Sequence, residues 1–228
     1  MSRLAENLTS VKARITNAAK DAGRDPHSIK LVAVSKTMPA EDVRLAIDAG
    51  HRDFGENYLQ DALAKIEAVQ QPDVVWHFIG PIQSNKTRNI AENFQWVQTL
   101  DREKIARRLN DQRPDSLPPL NICIQINLDD ENSKSGVNID RAIELGFLVQ
   151  ELSNLELRGL MFIPAPRDNA DARRQTCQRA MQLFKLFQRE FPKCDTLSLG
   201  MSADLEEAIA AGSTMVRIGT DIFGAREP

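Results

Sequence analysis

The sequence predicts an α/β fold: a (β/α)8 barrel of the TIM type, one domain over residues 1–228, with an extra helix at its N-terminus. Three observations point there. The chain has 228 residues, a length that suits one barrel of eight βα units. Short apolar runs alternate with helical patterns along its length. Asp42 to Gly50 and Asp204 to Gly212 share the pattern D-[VL]-x-x-A-I-x-A-G, a modest repeat of the kind serial βα units leave.

The elements follow in order. Leu4, Leu8, Val11 and Ile15 recur at steps of four and three, one stripe of a helix ending near Gly23. Leu31 to Ser35 is an uninterrupted apolar run, as in strands buried on both faces of a parallel sheet. Asp42 to Ala49 is a helix closed by Gly50, and Asp53 to Gly55 a brief second strand. Further strands are expected at Val74 to Ile79, Gln95 to Thr99, Asn121 to Leu128, Leu157 to Ile163, Thr196 to Leu199 and Thr214 to Ile218. Helical patterns lie at Lys86 to Asn93, Arg102 to Asn110, Asp140 to Leu152, Ala172 to Phe191 and Ala203 to Ala211. The proline-rich stretch Pro114 to Pro119 reads as a loop between helix and strand, so no linker divides the chain.

Composition narrows the function. With 42% hydrophobic and 27% charged residues the chain can bury a core, and no apolar run approaches the ~18 residues that cross a bilayer. No signal-peptide core opens it, so a cytoplasmic protein without membrane attachment is expected. A net charge of -3 supplies no global field for nucleic acid, and any anionic ligand must be held by a local site. Cys123, Cys177 and Cys194 are odd in number with no close pair, which fits a reducing compartment. His27, His51 and His77 are far apart and lack supporting ligand spacing, so no metal site is expected.

In a barrel the chemistry sits at the C-terminal ends of the strands. Lys36 follows the first strand; an amine crowded by apolar walls there can attack an aldehyde, and the plain alternative is a lysine leaving for solvent. The loops after the last two strands are the usual phosphate site of barrels. Ser202 stands in the N-cap position of the helix from Ala203, and Gly219 and Thr220 follow the eighth strand with room for close backbone approach. Arg217 interrupts an apolar strand and must find acceptors: a ligand nitrogen, or an ion pair closing the barrel core. His77 reads as a hydrogen-bonded core histidine, with proton transfer the alternative.

Several segments together resemble the pyridoxal phosphate homeostasis protein family. They are Ala33 to Thr37, Phe54 to Tyr58, Trp76 to Lys86, Asp130 to Gly136, Gly159 to Pro164, Leu197 to Ser202 and Val216 to Thr220, and the resemblance they carry covers nearly the whole chain. The resemblance implies a barrel like the N-terminal domain of alanine racemase that holds pyridoxal 5′-phosphate (PLP) as an imine on Lys36. By the same match Ser202, Gly219 and Thr220 grip the phosphate, Arg217 faces the pyridine nitrogen, and Asn57 and Met161 lie near the ring. Lys134 matches a motif lysine that receives PLP or passes it on, with a surface lysine the alternative. Gln83, Asn85 and Lys86 stay outside the core site, as a second anion site or as cap residues.

An arginine against the pyridine nitrogen disfavours its protonation and so weakens the electron sink of most PLP chemistry. A racemase also needs an acid–base group on the face opposite the lysine, and Tyr58 is the one tyrosine here. The resemblance therefore implies no catalytic residues: a monomeric PLP binder serving PLP homeostasis, with PLP-dependent apo-enzymes as partners. The alternatives are a single-barrel PLP-dependent racemase or lyase, and a sugar-phosphate aldolase or isomerase in which Lys36 attacks the substrate itself.

Overall fold

A computed structural model describes residues 2–129 and 135–224. Eight parallel strands close into a barrel in chain order: β1 (Lys30–Val34), β2 (Asp53–Glu56), β3 (Val75–Phe78), β4 (Trp96–Leu100), β5 (Leu120–Ile126), β6 (Leu155–Phe162), β7 (Thr196–Ser198) and β8 (Met215–Ile218). β1 closes on β8 in a continuous register from Lys30 opposite Met215 to Ala33 opposite Ile218. The (β/α)8 fold expected from the sequence is the one observed, and predicted strand ends differ from the observed ones by a few residues at most.

The helices are α1 (Arg3–Asp21), α2 (Ala40–Asp48), α3 (Leu59–Val69), α4 (Thr87–Asn93), α5 (Glu103–Gln112), α6 (Ile139–Gln150), α7 (Ala170–Glu190), α8 (Leu205–Ala211) and α9 (Thr220–Phe223). α1 is the extra helix. Ser2 caps it by accepting from the Ala5 amide, and its stripe of Leu4, Leu8, Val11 and Ile15 is buried where it packs against α8 and α9. Two helices were not foreseen. α3 begins after Tyr58, which gives no side-chain cap, and ends on Gln70 at φ 46° instead of a glycine, so both usual punctuation marks are missing. α9 is one turn long.

The expected start of the helix after β7 is corrected. α8 begins at Leu205, and Ser202 is not its N-cap. The Asp204 carboxylate accepts instead from the Met201 amide at 2.7 Å, which folds residues 201–204 into a turn ahead of the helix.

Two apolar layers result. The larger lies between sheet and helices and includes the outward side chains Leu31, Ala33, Phe54, Ile122 and Leu160. The smaller fills the barrel itself with Val32, Trp96, Cys123, Met161 and Met215. Among the described residues no helix is long and apolar enough to cross a membrane, and no cluster of three or more metal-ligating side chains is present.

Candidate functional site at the C-terminal end of the barrel

Strand alternation sends every second side chain into the barrel, so Val34 and Lys36 of β1 and its exit share a direction with Gly55 and Asn57 of β2. At the C-terminal end these residues open into a cavity of about 310 Å³. Its lining brings Lys36, Asn57, Ser202, Arg217, Gly219 and Thr220 together with the apolar side chains of Val34, Met38, Ile79, Ile163, Met201 and Phe223. Thus six of the seven residues singled out from sequence meet at one wall. Met161, the seventh, lies one layer deeper: it pairs in register with Ser198, and its buried side chain packs with Val32, Cys123 and Met215.

The segment carrying Lys36 is held from outside the barrel. Thr37 has φ 67°, a costly conformation for a β-branched residue. It is fixed by the Thr37 hydroxyl donating to the Lys36 carbonyl at 2.5 Å and by the Thr37 amide donating to Asp61 Oδ2 at 3.3 Å. Beneath it the buried Lys65 ammonium of α3 donates to the Ser35 carbonyl (2.7 Å), Glu56 Oε1 (2.8 Å) and Asp61 Oδ2 (2.8 Å). The Ser35 hydroxyl also donates to Glu56 Oε1 at 2.6 Å. Burial raises the Glu56 carboxyl, and the charge and hydrogen bond of Lys65 pull against it.

Arg217 is buried and makes no ion pair among the described residues; the ion-pair alternative is set aside. Its Nη1 donates to Ser198 Oγ at 2.5 Å and its Nη2 to the Phe162 carbonyl at 2.8 Å. Desolvation lowers it to about 10, which leaves it charged at neutral pH. From Ser198 a file of hydrogen bonds runs down the barrel: the Ser198 hydroxyl donates to Gln98 Oε1 (2.6 Å), Gln98 Nε2 to His77 Nδ1 (3.0 Å), and His77 Nε2 to Asp53 Oδ1 (3.0 Å), which Lys30 also contacts at 2.8 Å. Burial lowers His77 and keeps it neutral, as the hydrogen-bonded core histidine expected from sequence.

Two loops face the cavity from β7 and β8. Among the described residues the amides of Ser202 and Ala203 donate to no protein acceptor, and the Thr220 and Asp221 amides open α9. A Cβ at Gly219 would stand 3.2 Å from the Val34 carbonyl, so the backbone there runs close against the β1 exit. Asn57 Oδ1 is buried without a hydrogen-bond partner, and the Asn57 carbonyl lies where a Cβ at Gly80 would be.

The opposite, N-terminal end holds a larger cavity of about 820 Å³. Its main cations are already paired: Lys30 with Asp53, Arg158 with Asp195 and Arg52 with Asp73. Gln83 and Asn85 are exposed and, with Lys86, lie outside the C-terminal cavity. Tyr58, 59% exposed, is outside it too. Lys134 falls outside the described residues. Sequence reasoning missed the Ser198–Gln98–His77 file, the Lys65 cluster and the apolar lining; α3 at least carries a helical spacing in Leu59, Leu63 and Ile66 that would have revealed it.

The family model described as the alanine racemase N-terminal domain matches residues 3–227. The chain is 54% identical over 230 residues to the pyridoxal phosphate homeostasis protein of Escherichia coli (strain K12), covering 100% of this chain and 98% of that protein. The solved structure of PipY from Synechococcus elongatus PCC7942 with PLP bound is 32% identical, with a TM-score of 0.84, over 97% of this chain and all of that one. Alanine racemase from Corynebacterium glutamicum shares the fold at 17% identity and a TM-score of 0.68, matching 60% of its own length.

Proposed function

The chain belongs to the alanine racemase N-terminal-domain family and, within it, to the pyridoxal phosphate homeostasis proteins, and from that premise we propose that it binds PLP at the C-terminal cavity, as a Schiff base on Lys36. The observation that carries the reading is the convergence of Lys36, the 202–203 and 219–221 loops and Arg217 on one cavity of about 310 Å³. The residues fit such a group on three further counts: a buried Asn57 oxygen without a partner, loop amides without protein acceptors, and a glycine that lets the backbone close in.

When bound, PLP supplies an aldehyde that condenses with the Lys36 amine, releasing one water. Ser202, Gly219 and Thr220 would hold the phosphate, Arg217 would face the pyridine nitrogen and disfavour a proton on it, and Asn57 would offer its amide to the ring. Met161 contributes from the layer beneath. Arg217 keeps its charge turned to the ligand because Ser198 and the Phe162 carbonyl fix two of its nitrogens. Among the described residues the cavity wall has no tyrosine and no neutralisable base besides Lys36, and on that ground we read the protein as a binder without turnover. It serves as a monomeric, cytoplasmic holder of PLP that exchanges the cofactor with PLP-dependent apo-enzymes and engages neither nucleic acid nor membrane.

The test is the near-ultraviolet and visible spectrum of purified protein beside Lys36→Ala, with borohydride reduction and peptide mass mapping. The expected result is an imine band absent from the variant and a reduced adduct on Lys36. A wild type that stays colourless and unmodified after PLP is added would overturn the assignment. Chiral analysis of amino acids after long incubation decides between holder and racemase; rapid loss of enantiomeric excess would sink the former.

A further inference from the structure

Arg14 belongs to α1, outside the barrel, yet it reaches both loops of the C-terminal cavity. Its Nε and Nη2 form a fork on the Glu206 carboxylate at 2.8 and 3.0 Å, its Nη1 meets Asp221 Oδ2 at 2.5 Å, and its Nη2 also donates to the Ser202 carbonyl at 3.2 Å. Glu206 lies in the first turn of α8 behind the β7 loop, and Asp221 in α9 behind the β8 loop. One guanidinium thus ties together two segments that are neighbours only in the folded barrel.

The contact to Ser202 has a directional effect. In a trans peptide the carbonyl and the following N–H point opposite ways, so anchoring the Ser202 oxygen on Arg14 turns the Ala203 amide away from α1. Ala203 lines the cavity, and its amide has no protein acceptor among the described residues. The Glu206 and Asp221 carboxylates, meanwhile, lie just behind the loops, where unneutralised they would repel an anion. The Glu206 hydrogen bond raises Arg14 and lowers Glu206, the signature of a pair that stays ionised.

We propose that Arg14 is a positioning residue for phosphate: it sets the two loops against each other, aims the 203 amide into the cavity and offsets part of the negative charge of the two carboxylates behind it. The inference rests on the PLP reading above and assigns α1 a role in ligand selectivity.

The experiment compares two aldehydes, PLP and 5′-deoxypyridoxal, which lacks the phosphate, by spectral titration of wild type and Arg14→Met. The expected result is PLP affinity weakened about ten-fold with 5′-deoxypyridoxal affinity unchanged within about two-fold, the loss of one charge-supported contact set. Equal weakening for both aldehydes, or for neither, would overturn the proposal. Should Arg14→Met fail to fold by circular dichroism, Arg14→Lys, which keeps the charge and loses the fork, is judged by the same criterion. A wild type that takes neither aldehyde sinks the cofactor reading itself, an outcome separate from any effect of Arg14.

Discussion

Ser198 Oγ accepts from Arg217 at 2.5 Å while giving its own proton to Gln98, so the buried Arg217 guanidinium is fixed by a neutral hydroxyl instead of a carboxylate. The file continues with one sense, from Arg217 through Ser198, Gln98 and His77 to Asp53, so each donor is spoken for by the next acceptor. An acidic partner would neutralise Arg217; a hydroxyl leaves its charge directed at the cavity.

Breaking the file at its centre should be costly. Gln98→Leu leaves the Ser198 hydroxyl proton and His77 Nδ1 without partners in a buried interior, and a loss of about 2–4 kcal/mol in unfolding free energy is expected. Urea denaturation of the two proteins measures it, and a cost under about 1 kcal/mol would mean that the interior re-pairs on its own.

The cluster under Lys36 makes a second prediction. Lys65→Met removes the ammonium that faces Glu56 and Asp61 and leaves a buried carboxylate unpaired, expected to cost about 3–5 kcal/mol. Adding Glu56→Gln to the same chain should recover much of it. Denaturant unfolding of both single variants and the double one gives the coupling, which near zero would show the pair to be energetically independent.

Stability should fall in mild acid. His51 is buried and desolvation lowers it from 6.5 to about 4, so between those values the unfolded chain binds a proton that the folded one refuses. The sign follows: stability present above pH 6.5 is lost as pH falls towards 4, by about 3 kcal/mol for a shift of this size. Unfolding measured from pH 7 to 4.5 should show this decline, and His51→Gln, which keeps a donor for the Asp53 carbonyl, should make it shallower, with the buried His77, lowered in the same direction, supplying what remains.

The cysteines should be inert in the folded protein. Cys123, Cys177 and Cys194 are all buried, and burial pushes the last two up to about 12 and Cys123 higher still. A colorimetric thiol reagent is expected to label none within minutes natively and all three in guanidinium; fast native labelling of any one would show local opening at that site.

The barrel was legible because strands buried on both faces must be apolar throughout, and runs such as Leu31 to Val34 have no other economical fold. The same burial hid Gln98 and Ser198. In Trp96 to Leu100 every residue is buried, so alternation carries no sign of which side chains face inward, and a glutamine there looks like any interruption. Ser202 does line the cavity but is not the cap the sequence suggested, because Asp204 two places on offers a better acceptor for the local turn. Arg14 was invisible for a different reason: on the polar side of an amphipathic helix, an arginine that bridges three segments reads the same as one that faces water.

Because β1 pairs with β8, and Lys36 follows one while Arg217, Gly219 and Thr220 belong to or follow the other, the lysine and the residues that face it meet across the seam that closes the barrel. During synthesis the lysine emerges long before β8, and the cavity around it cannot form until that strand has been made and has paired with β1. A chain cut before β8 would keep Lys36 but lack the side of the cavity that Arg217, Gly219 and Thr220 supply. The pairing that closes the ring is therefore also the step that completes the cavity.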